Sequence, residues 1–195
     1  MHPFKGFWDL KYERSRKTNL IVSFTILILM VITNVLQSQY NGFVVNLSDP
    51  DDMNSIMEIV YVVLPVLFWC VANWSLTTLM DGEGRFEEIF VSTCYALTPI
   101  VIVNLPWVLL SNVISLQEAS FYYFSGNFAT LWFVFLLFIG NMTVHQFTPG
   151  KTVWTILLSI VTMAFMAFLC LLFFSLIQQI ANFVYTISQE ISLRS

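Results

Sequence analysis

The chain has 195 residues, of which 57% are hydrophobic and only 10% charged, and its formal net charge is −4. A soluble globular domain carries about 25% charged residues, so this composition excludes one, and a mean hydropathy of +0.77 places the chain among integral membrane proteins. The three cysteines, Cys70, Cys94 and Cys170, all fall in apolar runs, which excludes a disulfide framework and suits small apolar fillers.

Residues 1–18 read as a cytoplasmic interfacial segment. Phe4, Phe7, Trp8, Leu10 and Tyr12 are interleaved with Lys5, Lys11 and Arg14. Rings of this kind sit at headgroup level while cations meet anionic lipid. Phe7, Trp8, Lys11 and Arg14 are the expected anchors.

Five stretches then follow that contain no Asp, Glu, Lys or Arg: residues 19–36, 59–80, 89–111, 126–144 and 152–181. Crossing a hydrocarbon core of about 30 Å takes roughly 20 apolar helical residues, and each stretch is long enough or nearly so. The first could pass for a signal peptide, but it ends in Gln37, Ser38, Gln39 and Tyr40 and not in a small-residue cleavage site. It reads as a retained span. The expected fold is an all-α integral membrane protein, a five-transmembrane-helix bundle over residues 19–195.

Topology follows from the cations, which prefer the cytoplasm near span ends. If the spans alternate, Lys5, Lys11, Arg14, Arg16, Lys17, Arg85 and Lys151 share one side, and only Arg194 lies on the other. The N-terminus is therefore expected inside and the C-terminus outside. The first outer loop holds Asp49, Asp51, Asp52 and Glu58 and no cation. The fifth run is long enough to tilt, or to leave the membrane near Gln178 and Gln179. Ile180, Phe183, Val184, Ile187 and Ile191 would then line one face of a surface helix.

Polar groups inside the spans are few. Trp69, Asn73 and Thr77 recur every four residues and share a face of span two, which also holds Pro65. Span three holds Thr98, Pro99, Asn104 and Pro106, and span four holds Asn127 and Asn141. Amides in hydrocarbon need partners, so Asn73, Thr77, Asn104 and Asn141 are expected to contact other helices or a bound protein. The stretches contain no ionisable acid or base of the kind that proton relays and voltage sensors use at membrane depth. His145, at the inner end of span four, reads as a polar anchor, and no second His or Cys is close enough in sequence to complete a metal site.

The inner loop reads Asp81-Gly-Glu-Gly-Arg-Phe-Glu-Glu. It lacks the spacing of a calcium loop or a phosphate loop. Gly82 and Gly84 are expected to make a tight reversal, with Glu87 and Glu88 in the first turn of span three. No nucleophile, base or metal constellation is visible, so neither catalysis nor a cofactor is expected.

The same loop carries a family resemblance. Gly82, Gly84 and Phe86, followed by Tyr95, Ala96, Leu97 and Pro99, resemble the signature of the Yip-domain family, the Ypt-interacting proteins. In that family a glycine pair and an aromatic follow span two, and a Tyr-Ala/Ser-Leu-x-Pro element opens span three. The resemblance implies a five-span membrane protein without a known catalytic activity; eukaryotic members of the family act in vesicle traffic, bind Rab-type GTPases and associate with one another. Family members that bind Rab-type GTPases carry a long N-terminal region with an Asp-Leu-Tyr-Gly-Pro motif. Only about 18 residues precede the first span here, as in compact prokaryotic-type members, so such a GTPase is not an expected partner, and neither is nucleic acid.

The expected function is a non-enzymatic membrane scaffold or accessory subunit in the cell membrane. Its expected partners are the lipid bilayer and other integral membrane proteins, with transporter subunits or further copies of itself as candidates. The alternative is a small permeation or lipid-handling module built around the prolines of spans two and three.

Overall fold

The computed structural model describes residues 3–46 and 54–194, with the side chains of 188 and 190–194 left aside. The acidic residues Asp49, Asp51 and Asp52 of the first outer loop, and the side chain of Ile191, lie outside the described residues.

Among the described residues there are seven helices and no strand. They are α1 (Pro3–Tyr12), α2 (Arg16–Tyr40), α3 (Ser55–Leu79), α4 (Phe86–Ala96), α5 (Thr98–Leu110), α6 (Ala119–His145) and α7 (Pro149–Arg194). Five segments are long and apolar enough to cross a membrane, with α4 and α5 counting together as one. In lipid only a helix satisfies every backbone group within its own segment, which is why apolar runs of this length take this form. Each spanning segment starts before its charge-free run, whereas α3 and α5 stop one residue short of the end of theirs.

The third span is broken where Tyr95-Ala-Leu-Thr-Pro stands. Pro99 has no N–H to give the carbonyl of Tyr95, four residues back. The hydroxyl of Thr98 donates to that carbonyl instead, at 2.7 Å. Helix α4 stops at Ala96 and α5 starts at Thr98, with Pro99 in its first turn.

Helix α3 lies against α2, α4 and α7; α4 packs on α6 and α2; α5 packs on α2 and α6. The central apolar core combines Leu27 of α2, Val66 and Trp69 of α3, Phe90 and Cys94 of α4 and Val144 of α6. Buried hydroxyls are accommodated within their own helices. Ser23, Thr33, Thr77, Thr93 and Thr143 each donate to the carbonyl four residues earlier. The cysteines are unpaired, with Cys70 and Cys94 buried.

Helix α1 packs on α6 and touches α4. Phe7 is buried there against Gly140, a position where any larger residue would meet Phe7 and the Ser92 hydroxyl. Helix α7 is one unbroken helix of 46 residues. At 1.5 Å per residue it is about 69 Å long, more than twice a hydrocarbon core. Every described residue from 171 to 187 is exposed.

Candidate functional site

A buried polar junction lies where the ends of α3 and α6 meet the starts of α4 and α7. Its centre is His145, the last residue of α6, which is only 1% exposed. Its Nδ1 lies 3.3 Å from the Gly84 backbone nitrogen, whose N–H donates to it. That nitrogen therefore carries no proton, and the ring is the neutral tautomer protonated at Nε2. Nε2–H donates in turn to Asn73 Oδ1 at 3.0 Å. The Asn73 amide donates onward to Asn141 Oδ1 at 3.1 Å and to Ser159 Oγ at 3.4 Å. One chain of hydrogen bonds thus ties the glycine loop to α6, α3 and α7.

Local geometry explains the glycine pair. Helix α3 ends with Asp81 in the left-handed region (φ 56°), and Gly82 N–H returns to the Thr77 carbonyl at 2.8 Å. Neither glycine has a positive φ, so the reversal does not require their freedom, contrary to expectation from the sequence. Close approach requires it instead. A Cβ on Gly82 would sit 2.7 Å from His145 Nδ1 and 2.9 Å from Thr77 Cβ. A Cβ on Gly84 would sit 2.6 Å from both His145 Cε1 and Val144 Cγ1. The glycines are the seat of the histidine ring.

Two lysines close the junction. Lys151 Nζ donates to the Met80 carbonyl at 2.7 Å, and Lys11 Nζ donates to the Val144 carbonyl at 2.8 Å. Both acceptors belong to helix C-termini, where orphan carbonyls and the helix dipole favour cations. Lys11 also lies 3.7 Å from Glu83, and Arg16 forms a bidentate pair with Glu87. Glu88 accepts from the Arg85 N–H at the start of α4. Lys151 stands 4.1 Å from the centre of the Phe147 ring, which stacks on His145.

The residues singled out in the sequence are distributed as follows. Asn73, Thr77 and Asn141 come together in the junction, all buried. Asn104 does not join them. It lies near the opposite end of the bundle, half-buried, with Gln37 Oε1 at 3.5 Å. Nearby, Asn41 donates to Tyr122 at 2.9 Å, and Asn34 and Ser38 bind Glu58 at 2.6 and 3.0 Å. In the signature, Phe86 meets Trp74 edge-on, Ala96, Leu97 and Pro99 are buried, and the Tyr95 hydroxyl accepts from Arg14 at 3.3 Å. Of the N-terminal anchors, Phe7 is buried and the Lys11 side chain is 8% exposed, whereas Trp8 and Arg14 are exposed. The sequence reading missed the central place of His145 and the hydroxyls Thr152, Thr155 and Ser159, all fully buried on α7. Their spacing of three and four residues was the signal that they share one face.

The junction holds a neutral imidazole, amides and hydroxyls linked in one chain, with the Asn141 amide nitrogen buried and without a partner among the described residues. Among the described residues no three His, Cys, Asp or Glu side chains converge as a metal site would require.

Neither the search of curated proteins nor that of solved structures gave a match. The family comparison did, over residues 1–172, a range that contains the whole junction and both signature elements. The chain belongs to the Yip1 domain family of multi-pass membrane proteins.

Proposed function

We propose that this protein is a non-enzymatic scaffold or accessory subunit that assembles laterally with other integral membrane proteins. The observation that supports this reading most is α7. Ser159 meets Asn73 and Lys151 meets Met80, so α7 runs antiparallel to α3. In that register the first residue of α3, Ser55, lies opposite about residue 177. Helix α7 continues well past it with Ile180, Phe183, Val184 and Ile187 exposed. An apolar helix longer than one crossing needs is a surface for a neighbouring protein. The buried side chains His145, Asn73 and Ser159, by contrast, are linked to one another inside the bundle.

The proposed orientation has the N-terminus inside and the C-terminus outside, and the seven cations on one side against Arg194 on the other support it. The proposed location is the cell membrane of a prokaryote. Purification from its native membrane in a mild detergent tests the function. A membrane protein in fixed ratio is expected to accompany the chain, and exchanging Phe183 and Ile187 for Ser is expected to release it. A chain that purifies alone, and that alone moves solute or lipid in liposomes, would instead support the permeation or lipid-handling reading.

A further inference from the structure

Two cavities meet at Arg14. The larger, about 890 Å³, is an apolar groove between the broken third span and α6. Pro99 and Ile102 form one wall, Phe128, Trp132 and Phe135 the other, and Phe7 of α1 closes its end. It borders the break in the third span at Pro99. The smaller cavity, about 200 Å³, lies between α1, the start of α2 and α4. Lys11, Arg14, Arg16 and Arg85 line it, opposed by Glu87 and Glu88, so cations are in excess. Asp9 lies on the groove side of Arg14.

The pairing within the smaller cavity is incomplete. Glu87 is held by Arg16, and Lys11 by the Val144 carbonyl and Glu83. Arg14 has the Tyr95 hydroxyl, and neither Arg14 nor Arg85 forms an ion pair within 4.0 Å among the described residues. Asn19 is 5% exposed and lines the same cavity. Its Nδ2 donates to the Leu10 carbonyl at 2.7 Å, while its Oδ1 has no partner among the described residues. The cavity therefore offers two guanidinium groups to an anion and one buried acceptor to a donor.

An anion that carries a hydrogen-bond donor and is joined to hydrocarbon satisfies both cavities at once. We propose that the protein binds one anionic glycerophospholipid of the surrounding leaflet. Arg14 and Arg85 hold the phosphodiester, a headgroup hydroxyl or ammonium donates to Asn19 Oδ1, and an acyl chain lies in the groove. Guanidinium forks suit phosphate oxygens. The groove falls within the roughly 300–1,000 Å³ of small-molecule sites. Phosphatidylcholine fits poorly, because it carries no net charge and its trimethylammonium donates no hydrogen bond. The site does not depend on the scaffold reading.

Native mass spectrometry of the full chain in detergent tests this, with dioleoyl phosphatidylglycerol or dioleoyl phosphatidylcholine added at equal concentration. One phosphatidylglycerol is expected per chain, at an affinity about tenfold above phosphatidylcholine, the size of one charge-assisted contact. The Arg14→Gln/Arg85→Gln variant is expected to bring the two lipids level. If that variant does not stay folded, Arg85→Gln alone replaces it, since no hydrogen bond of the Arg85 side chain would be lost among the described residues. Ile102→Trp, which fills the groove, is expected to lower retention of both lipids. Soluble glycerol phosphate is expected neither to bind nor to raise the thermal midpoint. Equal retention of the two lipids by the wild-type chain would overturn the proposal. So would unchanged phosphatidylglycerol binding in the arginine and tryptophan variants, or binding of glycerol phosphate alone.

Discussion

His145 and Gly84, from two segments 61 residues apart, touch so closely that the backbone N–H of one fixes the protonation of the other. The glycine donates to Nδ1, the proton sits on Nε2, and Asn73 receives it at 3.0 Å. In lipid-like surroundings a broken link of this kind leaves a polar group without water to turn to.

Asn73→Leu removes the acceptor of the histidine and the donor to Asn141 and Ser159. Measured interhelical hydrogen bonds in membranes average about 0.6 kcal/mol, so losing several together is expected to cost about 1–2 kcal/mol. The readout is the thermal midpoint in detergent, with Asn104→Leu as the comparison. Asn104 has only a 3.5 Å contact to Gln37, so its replacement is expected to cost less.

Thr98→Val removes the hydroxyl that takes over the Tyr95 carbonyl at the proline break. The expected loss is about 0.5–1.5 kcal/mol, the usual net value of one hydrogen bond. Ser at this position is expected to restore most of it. A denaturation series of the three proteins checks the order.

Asp81, Glu83, Glu87 and Glu88 changed together to their amides should leave the protein folded and any associated cellular activity largely intact. The Arg16–Glu87 pair and the Glu83 carboxylate that faces the largely buried Lys11 side chain are exposed, so the stability difference from wild type is expected to shrink as salt rises. A salt-insensitive loss of turnover in a folded, assembled protein would make this loop an active site.

A reporter active only in the cytoplasm, fused after Ser195, is expected to stay silent, and the same reporter fused before Met1 to give full signal. A strong C-terminal signal would contradict the proposed orientation.

Much of the architecture is legible in the sequence because the signal is large. Every Asp, Glu, Lys and Arg sits outside the five apolar runs, and moving one into hydrocarbon costs several kcal/mol. The broken third span was less legible: Pro99 announced a kink, but the part of Thr98 depends on a hydroxyl rotamer. The glycine pair was legible as a motif and misread in mechanism, because a glycine that turns the chain and one that admits a neighbour look alike in one dimension. His145 could not be found by periodicity at all. It ends its helix, and only the fold shows that the loop after α3 reaches back over it. Phe7 and Lys11 read as membrane anchors for the same reason, since α6 supplies the surface that buries them.

The glycine seat is tested most directly by a double-mutant cycle between Gly84→Ala and His145→Ala. Gly84 has a negative φ, so alanine strains nothing in the backbone, and its Cβ would meet the His145 ring at 2.6 Å. In the wild-type background Gly84→Ala is expected to cost about 1–3 kcal/mol, as overpacking does. In the His145→Ala background the cost is expected to fall by about 1 kcal/mol or more, with Val144 accounting for the remainder. Gly126→Ala, with nothing within 4 Å of its Cβ, is expected to be neutral. Strictly additive losses from the two replacements, or a Gly84→Ala protein as stable as wild type, would contradict the account of the signature as the seat of a buried histidine.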